Sequence, residues 1–249
     1  MARIREKGEK LTYRTGSWEP AADWYDKLVS KDGHYYHQAV IYPKLKRLIG
    51  KSPDLLDLAC GQGSLAGQVN CDYMGIDVAK TLVRAAQKRY PKSRFYTKDL
   101  TKPIDLKRTF MTATCVLALQ NIVDPAQLLE NAHRHLEEGG KLILVMNHPC
   151  FRIPRQSHWG VDETKKLQYR RIEKYMSAME IPIYVAKQQL ISHHHPLSYY
   201  FNLLKKTGFV TTDVQEWLSD KQSSGKTAKM ENRARKEFPL FLTIVCEKC

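Results

Sequence analysis

The stretch Leu55-Leu56-Asp57-Leu58-Ala59-Cys60-Gly61-Gln62-Gly63-Ser64-Leu65-Ala66 most constrains what this chain can become. Leu55 to Cys60 is a short apolar run, as in a parallel strand covered by helices on both faces. Gly61 and Gly63 permit a tight turn and let a ligand approach bare backbone. Ser64 and the residues after it are expected to open a helix whose unpaired N–H groups face that ligand. Dinucleotide enzymes use such a glycine turn too. The discriminating residue is Asp57, a carboxylate inside an apolar strand. A buried acid is costly without partners, so Asp57 is expected to take donors from the turn or to lie near a cationic ligand.

Two more strand-like runs deliver an acid downstream. Tyr73 to Val78 carries Asp77 near its end, where a carboxylate can accept both hydroxyls of a ribose. Arg94 to Thr97 is followed by Lys98-Asp99-Leu100. Between them Ala79 to Tyr90 reads as a helix, with Leu82, Val83, Ala86 and Tyr90 as its stripe and Pro91 as its stop. Phe110 to Leu119 reads as a fourth strand, with Gln120 and Asn121 leaving its end. Asp124-Pro125 has the form of an N-cap followed by proline at the first helical position. Leu128, Leu129, Ala132 and Leu136 mark the buried side of that helix, and Gly139-Gly140 is expected to end it. Lys141 to Met146 is a fifth strand, and Asn147-His148-Pro149 leaves it.

Asp57-x-x-x-Gly61-x-Gly63, followed by these ordered acids, resembles the class I, Rossmann-like, S-adenosylmethionine-dependent methyltransferases, from about Pro53 to the C-terminus. The resemblance implies an α/β fold: a doubly wound sheet of about seven strands whose last strand is antiparallel. It implies S-adenosylmethionine as cofactor, with Asp57 near the methionine ammonium and the turn through Ala59, Gly61 and Gly63 under the ribose and amino-acid part. Asp77 and Val78 would meet the ribose, and Asp99 and Leu100 the adenine. Gln120 and Asn121 would line the methyl-transfer point. Ala22-Asp23-Trp24-Tyr25-Asp26 resembles a stretch that caps the cofactor in such enzymes, which makes Tyr25 a candidate contact, along with His34 and Tyr36. The alternative for these rings is that they pin the cap to the core.

Residues 1–50 are expected to form a loose arm and a helical cap, with a second helical piece from His37 to Leu48 that Pro43 starts or kinks. Residues 51–249 form the methyltransferase domain. An insertion at about 150–195, rich in aromatic and basic residues, follows the crevice end of the fifth strand, where a lid or acceptor pocket belongs. Ile181 to Val185 is one of its candidate strands. Gly208-Phe209 to Leu218 and Pro239 to Val245 read as the last two strands. Ser219 to Lys236 between them reads as a basic, mobile loop with at most a helical turn.

Among the 249 residues the balance of charge is +14. This favours either a polyanionic partner or simply a basic enzyme of a lysine-rich proteome. The six cysteines are scattered and suit reduced thiols in a cytoplasmic protein, and no metal site is expected. Neither a membrane span nor a secretory signal is read in the chain. If the acceptor needs a general base, His148, His195, His34 and His37 qualify by type. A small-molecule acceptor is the leading expectation. RNA is the alternative, kept by the basic loop and the aromatic-basic insertion. An NAD-linked oxidoreductase is disfavoured by Asp57 within the first strand and by the terminal strand pair. A noncatalytic nucleic-acid-binding protein leaves the ordered acids unexplained.

Overall fold

The computed structural model describes Trp18, Glu19, Ala22 and residues 34–185 and 188–249. Tyr25 and most of the expected cap lie outside the described residues. Among the described residues, eleven strands form one seven-stranded sheet and two hairpins. The sheet contains β1 (Asp54–Leu58), β2 (Asp72–Asp77), β3 (Arg94–Thr97), β4 (Phe110–Val116), β5 (Leu136–Asn147), β10 (Phe209–Trp217) and β11 (Phe241–Lys248). Their order is β10-β11-β5-β4-β1-β2-β3. The strands from β3 to β5 run parallel, while β11 is antiparallel to both β5 and β10.

Side-chain alternation sorts the core into two layers. Leu142, Leu144 and Met146 of β5 join Leu56 and Leu58 on one face, under α3 (Pro125–His135) and α4 (Leu197–Lys206). Ile143 and Val145 join Leu55 and Tyr73 on the other, under α1 (Tyr42–Ile49) and α2 (Lys80–Arg89). Burying each such aliphatic side chain is worth about 1.5–3 kcal/mol. Asp57 shares the alternate face with Leu55, so it is a polar residue facing a hydrophobic layer.

Several local expectations need correcting. Ser64 does not open an α-helix. Ser64–Gly67 is a single 3-10 turn, entered from Gly63 in the left-handed region at φ 73° and closed by Gln68 N–H donating to the Leu65 carbonyl. The helix after Pro125 ends at His135, before Gly139-Gly140. Leu136 is already extended and fully buried, and it pairs with Phe110, so β5 begins there. β4 stops at Val116 because Leu117 turns into the left-handed region at φ 54°. Before α1 the chain makes a π turn, His37–Ile41, and Pro43 lies in the first turn of α1. The Ser219–Lys236 segment contains α5 (Ala228–Glu237). Ala234 anchors it, Asn232 bonds both ways with the Ser223 backbone, and Glu231 pairs with Arg235.

The insertion consists of two hairpins, β6 (Ser157–Asp162) with β7 (Leu167–Ile172), and β8 (Met179–Val185) with β9 (Gln188–His194). It leaves the sheet after β5. Asn147 pairs with Phe241, and Phe241 with Trp217. The insertion and the β10–β11 excursion therefore rise from the same end of the sheet.

Candidate active site

That end is where β1, β2 and β4 release their chains, as expected for a crevice in an open parallel sheet. Asp57 is almost wholly buried, and its partners come from the neighbouring strands. The Tyr73 hydroxyl of β2 donates to Oδ2 at 2.5 Å, and the Thr114 hydroxyl of β4 donates to Oδ1 at 2.8 Å. The expected donors from the turn are absent among its hydrogen bonds, because the turn serves Asp77 instead. Burial pushes the Asp57 carboxyl up to about 6, against the two hydroxyls, which pull it down.

Asp77 organises the glycine turn. Gly61 N–H donates to its Oδ2 and Ala79 N–H to its Oδ1, both at 2.8 Å. The Val78 N–H is a third backbone donor to this carboxylate. Burial raises its carboxyl, opposed by these backbone donors. The turn is held in left-handed backbone at Ala59 (φ 60°), Gly61 (φ 56°) and Gly63 (φ 73°). A non-glycine residue in that region is a marker of functional strain. Val78, beside Asp77, is exposed as an apolar surface.

Asp99 ties the chain after β3 by accepting from Thr101 N–H and the Thr101 hydroxyl, with Lys102 at 3.7 Å. Burial opposes its ionisation, but Thr101 and Lys102 prevail and hold it below the usual range. Leu100 packs in the core. Sequence reading missed what positions this loop, the buried Asn131 of α3. Its Oδ1 accepts from Ile104 N–H, and its Nδ2 donates to the Leu100 and Lys102 carbonyls.

Gln120 and Asn121 form the 3-10 turn after β4. Asn121 donates back to the Leu117 carbonyl, while Gln120 lines a small cavity with Asn147, Arg152 and Ser192. The histidines divide. His148 is engaged at both nitrogens. Nε2 donates to Glu216 at 2.7 Å, and Nδ1 accepts from Cys150 and Phe151 N–H. Both ring nitrogens of His148 are thus engaged within the protein. His37 is buried, and desolvation lowers it to about 4. His195 stacks on Tyr199 at 3.8 Å, and burial lowers its pKa. His34 packs near Tyr36, at 6.3 Å between ring centroids.

The His/Tyr segment and the arm dock on different parts of the fold. Tyr35 donates to Asp220, Tyr36 bonds Ser219, and the Lys221 ammonium lies over both rings. Glu19 accepts from the Thr81 N–H and hydroxyl at the start of α2, and Ala22 packs with Ala79 and Leu82. Residues of the arm thus lie beside the loop that carries Asp77.

The strand order, with β11 inserted antiparallel between β5 and β10, defines the Rossmann-like fold of class I methyltransferases. Residues 56–144 match the family described as "Methyltransferase domain". Two curated relatives are named demethylmenaquinone methyltransferase. The one from Chlamydia felis is 36% identical over 117 residues, which is 43% of this chain and 50% of that one. The one from Chlamydia caviae is 32% identical over 149 residues, 54% and 63% of the two chains. The chain thus spans half to somewhat under two thirds of these relatives. Among solved structures, an S-adenosylmethionine-dependent methyltransferase from Mesorhizobium loti superposes with a TM-score of 0.68 at 22% identity, covering 88% of this chain and all of that one. This likeness extends the shared fold well beyond the matched domain.

Proposed function

We propose that the chain is an S-adenosylmethionine-dependent methyltransferase acting on a small-molecule acceptor. The observation that carries this reading is the row of carboxylates, Asp57, Asp77 and Asp99, at the ligand-facing ends of β1, β2 and β3 around a strained turn. S-adenosylmethionine presents an ammonium, a ribose diol and an exocyclic amine. Each is a donor, so three acceptor carboxylates at separate strand ends fit that set. The cofactor would supply an electrophilic methyl group. The protein's part is to hold nucleophile, carbon and sulfur in line and to keep water out.

In this reading Asp57 faces the ammonium, Asp77 takes the diol, and Asp99 with Leu100 meets the adenine. Val78 offers the adenine an apolar contact. The arm through Glu19 and Ala22 would close over the cofactor. Gln120 and the hairpin insertion would face the acceptor. His195 is the histidine best suited to take a proton, since burial keeps it neutral and no hydrogen bond among the described residues occupies its ring. Relatives named for a quinone-type acceptor favour a small molecule over RNA.

Calorimetric titration with S-adenosylmethionine, with NAD as control, tests the reading. Binding of S-adenosylmethionine alone is expected. Binding of NAD in its place would reject the class.

A further inference from the structure

Resting on that function, we propose that the cleft after β5 is an anion-receiving acceptor subsite in which Arg152 takes a carboxylate of the substrate. The cavity is lined by Gln120, Asn147, Arg152, Ser192 and His193, among others. Gln120 follows β4 and Asn147 ends β5. Ser192 and His193 belong to β9, the hairpin strand that packs over the Leu119–Asn121 turn. The subsite therefore adjoins the place where the transferred methyl would leave the cofactor.

Arg152 is the feature that asks for a ligand. It is half-buried, yet no carboxylate pairs with it among the described residues. Its one hydrogen bond is the backbone N–H to the His148 carbonyl. Burial lowers its pKa, and the only group drawing it back up is the Tyr36 phenol. A second cation, Arg170, lies close enough to be affected by it. Arg170 is spoken for, since it donates to the Phe151 carbonyl and the Ser157 hydroxyl. Two acids lie near the lining: Glu180 is exposed, 4.0 Å from His193, and Glu216 is engaged by His148 at 2.7 Å.

A desolvated guanidinium without a counterion is destabilising, and an arriving anion reverses the penalty. The guanidinium fork matches a planar carboxylate with two parallel N–H donors. Gln120, Asn147 and Ser192 add neutral donors at the same cleft. The cavity holds only about 10 Å³ of free volume, room for one water-sized atom group such as a single carboxylate oxygen. The body of the substrate would lie outside it, toward the cofactor.

The test is calorimetric binding of benzoate, its uncharged analogue methyl benzoate, and inorganic phosphate, with and without S-adenosylhomocysteine. Wild type is compared with Arg152→Gln and Arg152→Lys. Benzoate is expected to bind wild type and to weaken about tenfold or more in Arg152→Gln, with Arg152→Lys between them. Methyl benzoate should bind both alike and weakly. S-adenosylhomocysteine affinity should be the same in all three proteins, which shows that the fold is intact. Equal benzoate binding by wild type and Arg152→Gln, no benzoate binding, or an ester that binds as well as the acid would each overturn the proposal. Phosphate binding tighter than benzoate would overturn the carboxylate assignment. Loss of S-adenosylhomocysteine binding in wild type would reject the methyltransferase reading, and the benzoate comparison without it would still decide the subsite.

Discussion

Asp57 shows how one side chain links sequence, stability and ligand. Its carboxyl, raised to about 6 by burial, ionises inside the protein at higher pH than in the unfolded chain. The folded state then holds more protons than the unfolded state between about pH 4 and 6, so stability falls as pH rises through that window. Cofactor affinity runs the opposite way, because only the ionised form attracts an ammonium. S-adenosylmethionine affinity is expected to climb through about pH 6 and then level. Asp57→Asn should flatten both curves and weaken binding at pH 8 by about 2 kcal/mol, roughly 30-fold. Binding and melting measured across pH check this, and an affinity curve unchanged by Asp57→Asn would move the ammonium elsewhere. Gly63 makes a second residue-scale case. Its φ is 73°, and an added Cβ would lie 2.6 Å from Phe95 Cε1. Gly63→Ala therefore combines backbone strain with a clash, about 3 kcal/mol together. The expected fall in melting temperature is roughly 10 °C; no fall would mean that the turn relaxes freely.

At the scale of elements, Asn131 sits on α3 as one polar residue among Leu128, Leu129 and Ala132. Its sequence position looks like a helix-face exception. In the fold its amide makes three hydrogen bonds to residues 100–104 and so fixes the loop after Asp99. Asn131→Ala removes all three and strands the Ile104 N–H, at about 3 kcal/mol. Lower thermal stability together with weaker cofactor binding is expected; a stability loss alone would detach this loop from the adenine. The example marks what the sequence makes legible. Strands β1, β2, β4 and β5 announce themselves because both faces are buried and their runs are continuously apolar. The acids at their ends stand out against that background. The Tyr73 and Thr114 hydroxyls that hold Asp57, and the Asn131 amide, do not. Each is an ordinary residue whose importance comes from register across strands or from contacts some thirty residues away. β5 was read too short for a related reason. Glu137 to Gly140 look like a polar turn, and only pairing of Leu136 with Phe110 makes them strand.

For the whole molecule, three segments far apart in sequence meet over the ligand-facing end of the sheet. Tyr35 and Tyr36 bond Asp220 and Ser219. Phe238, just after α5, packs edge-on against Phe151 and Trp159, and Arg233 reaches the Lys166 carbonyl. The basic excursion from Ser219 to Lys236 is thus a strut between the Tyr35–Tyr36 segment and the β6–β7 hairpin. It does not touch the Asp57–Asp77–Gly61 network. The sheet can close without it, because Trp217 and Phe241 already pair and Leu240 N–H donates to the Trp217 carbonyl at 2.8 Å. Replacing Asp220 to Phe238 by a short glycine-serine turn should therefore leave S-adenosylmethionine affinity within about threefold, well under 1 kcal/mol. The β6–β7 hairpin, losing Phe238 and Arg233, should become the first site of proteolytic cleavage. Calorimetry and limited proteolysis read the two effects separately. Cofactor affinity that collapses with the strut would place the excursion in the cofactor site, and a hairpin that stays resistant would mean that Arg170 and Ser157 hold it unaided.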